Sequence, residues 1–156
     1  MTALVKQDAN HNRLQLPLPF CVKKSVSFAG GTTNDMGDYD GTGNPKTLFT
    51  VTGDVLVWLV GVCKETLVGA GTIEVGVTDA TASLLAQIAN ATTLAINEGW
   101  QDATPSLAEG VSPAYHVIGG GLDIIQTVGT ANITDGQIDY YCYWVHLSND
   151  GKVVSA

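Results

Sequence analysis

The sequence predicts an all-β protein: an antiparallel β-sandwich, jelly-roll-like, with an extended N-terminal arm. Three observations carry this prediction. Apolar residues recur with a period of two in short segments, the spacing of strands and not of helices. Clusters of Gly, Asn and Asp separate those segments, and these are turn residues; the 156-residue chain has 18 glycines. Finally, two segments, residues 47–63 (TLFTVTGDVLVWLVGVC) and 137–147 (QIDYYCYWVHL), are apolar or aromatic on both alternating faces. Strands of that kind are expected to be covered on both sides. A closed barrel is the alternative, but paired hydrophobic strands joined by long loops suit two packed sheets better.

The elements follow in order. Residues 1–20 form the arm and residues 21–156 a single sandwich domain. In the arm, Pro17 and Pro19 forbid a helix and favour an extended path. Leu14, Leu16 and Leu18 alternate there, so three leucines share one side of an extended chain. With Phe20 they are candidate anchors, packing on their own domain or on a neighbouring subunit. Residues 22–29 (VKKSVSFA) alternate as a half-buried strand. Residues 30–45 form a long loop dense in Gly, Asp and Asn, a length associated with contacts or function. Strands follow at residues 47–52 and 55–63. In the second, Val55, Val57, Leu59 and Cys63 share one face, and Leu56, Trp58, Val60 and Val62 the other. Residues 72–78 (TIEVGVT) alternate cleanly as a strand with one apolar face.

Residues 80–97 are the only helix-like region. Leu84, Leu85 and Ile88 lie at i, i+1 and i+4, but the Thr and Asn content permits at most a turn or two. A strand edge followed by a loop fits equally well. Short strands are expected near residues 98–104, 115–118 and 122–128, with a bend at Gly119, Gly120 and Gly121. The last long strand, residues 137–147, sets Ile138, Tyr140, Cys142, Trp144 and His146 against Asp139, Tyr141, Tyr143, Val145 and Leu147. Tyr140, Tyr141 and Tyr143 cannot all enter one small core. Tyr141 and Tyr143 are therefore expected at a subunit interface.

Composition narrows the function. Fifteen acidic and seven basic side chains give a net charge of −8, which argues against nucleic-acid binding through phosphate neutralisation. Charged residues make up only 14% of the chain, against about 25% in typical domains. Much of the surface is thus neutral polar or covered by another subunit. No stretch is long and unbroken enough for a membrane helix. The first twenty residues lack a signal-peptide apolar core, so the chain is expected to be made and kept in a cytoplasm, or assembled there. Cys63 and Cys142 lie in apolar strands and are expected to be buried free thiols, whereas Cys21 is placed for an intermolecular bond.

Catalytic signatures are not evident. The three histidines are scattered, and neither GxSxG nor HExxH occurs; an enzyme is not expected. Asp35, Asp38 and Asp40 are a weak metal candidate. Carboxylates at that spacing among glycines could gather oxygens around Ca²⁺, yet the acidic residue that closes a calcium loop is missing. A solvated acidic turn is the preferred expectation, with no cofactor.

Residues 48–55 (LFTVTGDV), residues 72–76 (TIEVG) and residues 144–151 (WVHLSNDG) occur in a recognisable order. In these segments, across residues 22–154, the chain resembles a set of small tailed-bacteriophage virion proteins: decoration or cement proteins and head-fibre bases. It departs from them at His146, where an arginine-proline pair is more familiar. The resemblance implies a homotrimeric sandwich on the outer capsid surface, bound to the major capsid protein and to copies of itself, with neither nucleic acid nor membrane as partner. The alternatives are a virion-surface module that binds glycans or anchors a fibre, and a tail or baseplate structural protein.

Overall fold

The structure, a computed structural model, describes residues 19–31, 35–40, 43–106 and 114–156. Leu14, Leu16 and Leu18 therefore lie outside the described residues. The described residues form ten strands: β1 (Phe20–Ser27), β2 (Lys46–Thr52), β3 (Val55–Val68), β4 (Thr72–Val77), β5 (Ala80–Ile88), β6 (Gly99–Trp100), β7 (His116–Ile118), β8 (Ile124–Gly129), β9 (Asp135–His146) and β10 (Lys152–Ser155). The only helical element among them is a short 3-10 turn, Ala91–Thr93, capped by the Asn90 side chain.

The strands make two antiparallel five-stranded sheets packed as a sandwich. One runs β1-β9-β3-β6, with β7 also on β3; the other runs β10-β2-β8-β4-β5. The chain changes sheet after β1, β2, β3, β5, β7, β8 and β9, while β4–β5 and β6–β7 each stay within one sheet. Between the sheets lies one apolar core that includes Leu48, Phe49, Val55, Val57, Ile73, Leu85, Trp100, Ile138, Tyr140 and Cys142. Leu59 and Cys63 also point inward, so the inward set of β3 is the one that alternation assigns.

The two long strands are not covered on both sides. Their inner sets are buried, but Leu56, Trp58, Val60 and Val62 of β3 are only half-buried, as are Tyr141, Tyr143 and Val145 of β9. The reason is architectural: in a two-layer sandwich each sheet has one partner layer, so its second face meets no layer among the described residues.

The helix-like region is strand. β5 takes residues 80–88, and its pairing with β4 carries register shifts between Ile73 and Val75 and between Val75 and Val77. Leu84 and Leu85 are adjacent yet both buried. A bulge can turn consecutive side chains inward, and it yields the i, i+1, i+4 pattern that mimics a helix.

Candidate functional site

The feature that stands out is the outer face of the β1-β9-β3-β7 sheet. Register fixes its rows. Val145, Leu56 and Val117 lie side by side across β9, β3 and β7. In the next row Cys21, Tyr143 and Trp58 lie across β1, β9 and β3, and alternation from β7 brings Tyr115 beside them. Lys23, Tyr141 and Val60 form the third row, and Ser25, Asp139 and Val62 the fourth. The Trp58 and Tyr143 rings stack at 4.9 Å. Tyr115 is 63% exposed, Val117 68% and Leu147, at the end of β9, 54%. A contiguous apolar patch of this kind is unusual on the surface of a monomeric protein.

Charge is nearly absent from this face. Asp139 is buried at the end of the strip, where Lys23 Nζ approaches its Oδ2 at 2.7 Å and Ser25 Oγ donates to its Oδ1 at 2.6 Å. Burial pushes the Asp139 carboxyl up, but the bonds from Lys23 and Ser25 outweigh it and hold the group below the usual carboxylate range. The Lys23 ammonium is raised, chiefly by its hydrogen bond to Asp139. The outer side of the opposite sheet is different. Thr47, Thr50 and Thr52 of β2 are exposed there, and Gln87 of β5 donates to Glu74 of β4 at 2.7 Å. One side of the sandwich is therefore polar and the other apolar.

The expected contact residues divide. Tyr141 and Tyr143 stand together on the apolar outer face. Phe20 does not join them: by alternation it points to the inner side, where it stacks on Trp144 at 4.7 Å while remaining 52% exposed. Val117 and Tyr115 complete the face; β7 has only three residues, and its alternation is too short to declare a face from sequence.

The acidic loop is a structural knot. Asp38 is buried, and its two carboxylate oxygens accept the Gly31 N–H at 2.9 Å and the Asp35 N–H at 3.1 Å. Gly37, at φ 108, lets its carbonyl accept the Ile133 N–H at 2.8 Å. Tyr39 N–H donates to Asn132 Oδ1, so the loop is laced to the segment that precedes β9. Asp40 is exposed. Among the described residues no group of three His, Cys, Asp or Glu is arranged to hold a metal ion.

The remaining chemistry is sparse. Cys63 and Cys142 are buried and Cys21 is exposed, all as free thiols; burial pushes the Cys63 thiol up to about 11 and the Cys142 thiol up to about 12. A cleft of about 250 Å³ opens between the β4–β5 hairpin and β7, lined by Val77, Leu84, His116, Ile118 and Leu122 among others. No described helix is long and apolar enough to cross a membrane. Comparison with protein-family models, with curated proteins and with solved structures finds no match to the chain.

Proposed function

We propose that this chain is a structural virion protein, a decoration or cement protein that binds the outer surface of a phage head, is homotrimeric, and stabilises the shell. One observation carries the proposal: a β-sandwich that leaves one sheet face apolar, aromatic and almost free of net charge. Such a surface is built for contact with protein. The sequence resemblance supplies the setting, and the low charged fraction accords with a surface largely occupied by neighbours.

The mechanism is clamping. A filled head is under outward pressure, and a protein that touches several capsid subunits adds contact area across their seams. Multivalency turns individually weak contacts into firm attachment. In this scheme the apolar face serves the contacts between copies. Residues 1–18, with Leu14, Leu16 and Leu18, supply the anchor on the major capsid protein. The protein is made in the host cytoplasm and resides on the virion.

Immunogold labelling of intact virions with an antibody to this chain tests the assignment. Gold is expected over the head surface, and label confined to the tail would refute it in favour of a tail or baseplate role. Deleting residues 1–18, which spares the Phe20–Trp144 stack, is expected to lower occupancy on purified heads; undiminished binding would refute the anchor. A second function is favoured by the stacked pair Trp58–Tyr143 beside exposed Tyr115, because flat aromatic surfaces also bind sugar rings. Glycan-array binding abolished by Tyr115→Ala would support that module over the decoration role.

A further inference from the structure

We propose that the outer face of the β1-β9-β3-β7 sheet is the surface through which copies of this chain associate, and that it lines a three-fold axis parallel to its strands. The inference rests on the homotrimer proposed above and assigns it a surface.

Charge argues for a second copy as the occupant. The chain carries −8, so two copies repel wherever their acidic surfaces meet. On this face Lys23 and Asp139 neutralise each other, and the other members of its four rows are uncharged. Copies can meet here without opposing charge, whereas a strongly charged partner finds nothing to recognise.

The order of the rows argues for a symmetric contact. The strip grades from Leu147 and the Val145–Leu56–Val117 row, through the ring-bearing row of Tyr143 and Trp58, to the polar row of Asp139 and Ser25. A rotation axis parallel to the strands keeps every row at its own height. Apolar rows then meet apolar rows, and the polar row meets its equivalents. An axis across the strands reverses one copy and sets polar rows against apolar ones.

Width and side-chain size argue for three. Four strands span roughly 19 Å, and three such faces around an axis make a triangular prism with walls roughly 5–6 Å from its centre. Packed sheets lie about 10 Å apart, so side chains normally cover about half that distance. The largest side chains, Trp58, Tyr141 and Tyr143, stand on the middle strands, where they reach toward the axis. On β1 the outward residues are Cys21, Lys23 and Ser25, and the Lys23 side chain lies back along the face toward Asp139 and the Tyr141 ring.

Native mass spectrometry and analytical ultracentrifugation test the proposal. The wild-type chain is expected at three times 16.3 kDa at micromolar concentration. Tyr115→Lys combined with Val117→Lys, both at highly exposed positions, is expected to weaken association about tenfold or more, with an unchanged far-ultraviolet dichroism spectrum. Val154→Lys, on β10 of the other sheet, serves as the control and is expected to leave the trimer intact. A trimer that survives the double substitution would overturn this face while leaving the homotrimer standing. A wild-type dimer would overturn the three-fold packing, and a monomer at 100 µM (a concentration chosen for the assay) would overturn both face and homotrimer.

Discussion

Trp100 shows how one side chain can tie the two sheets together. Its ring is fully buried and lies 6.2 Å from the Tyr140 ring, and its Nε1 donates to the Ala86 carbonyl of β5 at 3.0 Å. Trp100→Ala removes the largest buried side chain and leaves that carbonyl without its donor; a loss of about 3–5 kcal/mol in urea unfolding is expected. Tyr140 makes a second polar link, its hydroxyl donating to Gln126 Oε1 at 2.8 Å inside the core. Tyr140→Phe strands that buried acceptor, and about 1–3 kcal/mol should be lost. The Asp139 pair defines the pH response. Its carboxyl is lowered in the folded chain, so its contribution is present above the ordinary value of 3.8 and is lost as pH falls through the folded value. Lys23 is raised, so its contribution is full below 10.5 and is lost as pH rises through its folded value. The pair is therefore intact across neutral pH. Lys23→Ala is expected to move the Asp139 titration upward in a carboxyl carbon NMR experiment, and an unmoved titration would show that the pair is not formed in solution.

At the level of elements, alternation made much of the fold legible and bulges hid the rest. The inward set Val55, Val57, Leu59 and Cys63 and its outward counterpart are those that period-two spacing assigns. β3 was expected to stop at Cys63 because Lys64, Glu65 and Thr66 break the pattern. It continues to Val68, with register shifts on either side of Glu65, and Leu67 returns to the core. Only pairing with β9 reveals this, since a bulge resets which parity faces inward. Asn44 was equally invisible: its side-chain amide donates to the Val128 carbonyl and accepts the Val128 N–H, mimicking a strand residue just before β2 begins. A lone Asn before Pro signals only a turn. The acidic loop was legible as a turn, but not its function as a tie. There Gly37 has φ 108, and an added Cβ would lie 2.1 Å from the Ile133 carbonyl oxygen. Gly37→Ala is expected to cost about 2 kcal/mol or more, measured by denaturant midpoint, with local loss of amide protection at Ala29, Gly30 and Ile133. An unchanged midpoint would show that the loop is not held to Ile133.

At the scale of the whole molecule, the two sheets present opposite surfaces. One sheet turns Thr, Glu and Gln outward; the other turns out Trp58, Tyr143, Val117 and their neighbours. The candidate site was only partly legible. Tyr141 and Tyr143 could be placed outside the core because too many rings competed for it, and both stand on the outer face. Tyr115 and Val117 needed β7 to be placed on β3 before they joined them. Phe20 lies apart from that face because its partner Trp144, across the β1–β9 ladder, is fixed by register and not by local spacing. Thiol chemistry offers an independent check on inside and outside: a maleimide probe is expected to label Cys21 in the dilute native chain, and Cys63 and Cys142 only on unfolding. Early labelling of Cys142 would contradict the core as described. The central claim, that the apolar face meets copies of this chain, is tested most directly by hydroxyl-radical footprinting across a dilution series. The account predicts that Trp58, Tyr115 and Tyr143 become protected as concentration rises, while Tyr39, exposed on the acidic loop, does not. Equal oxidation of Tyr115 and Tyr143 at all concentrations, with the chain folded throughout, would contradict it.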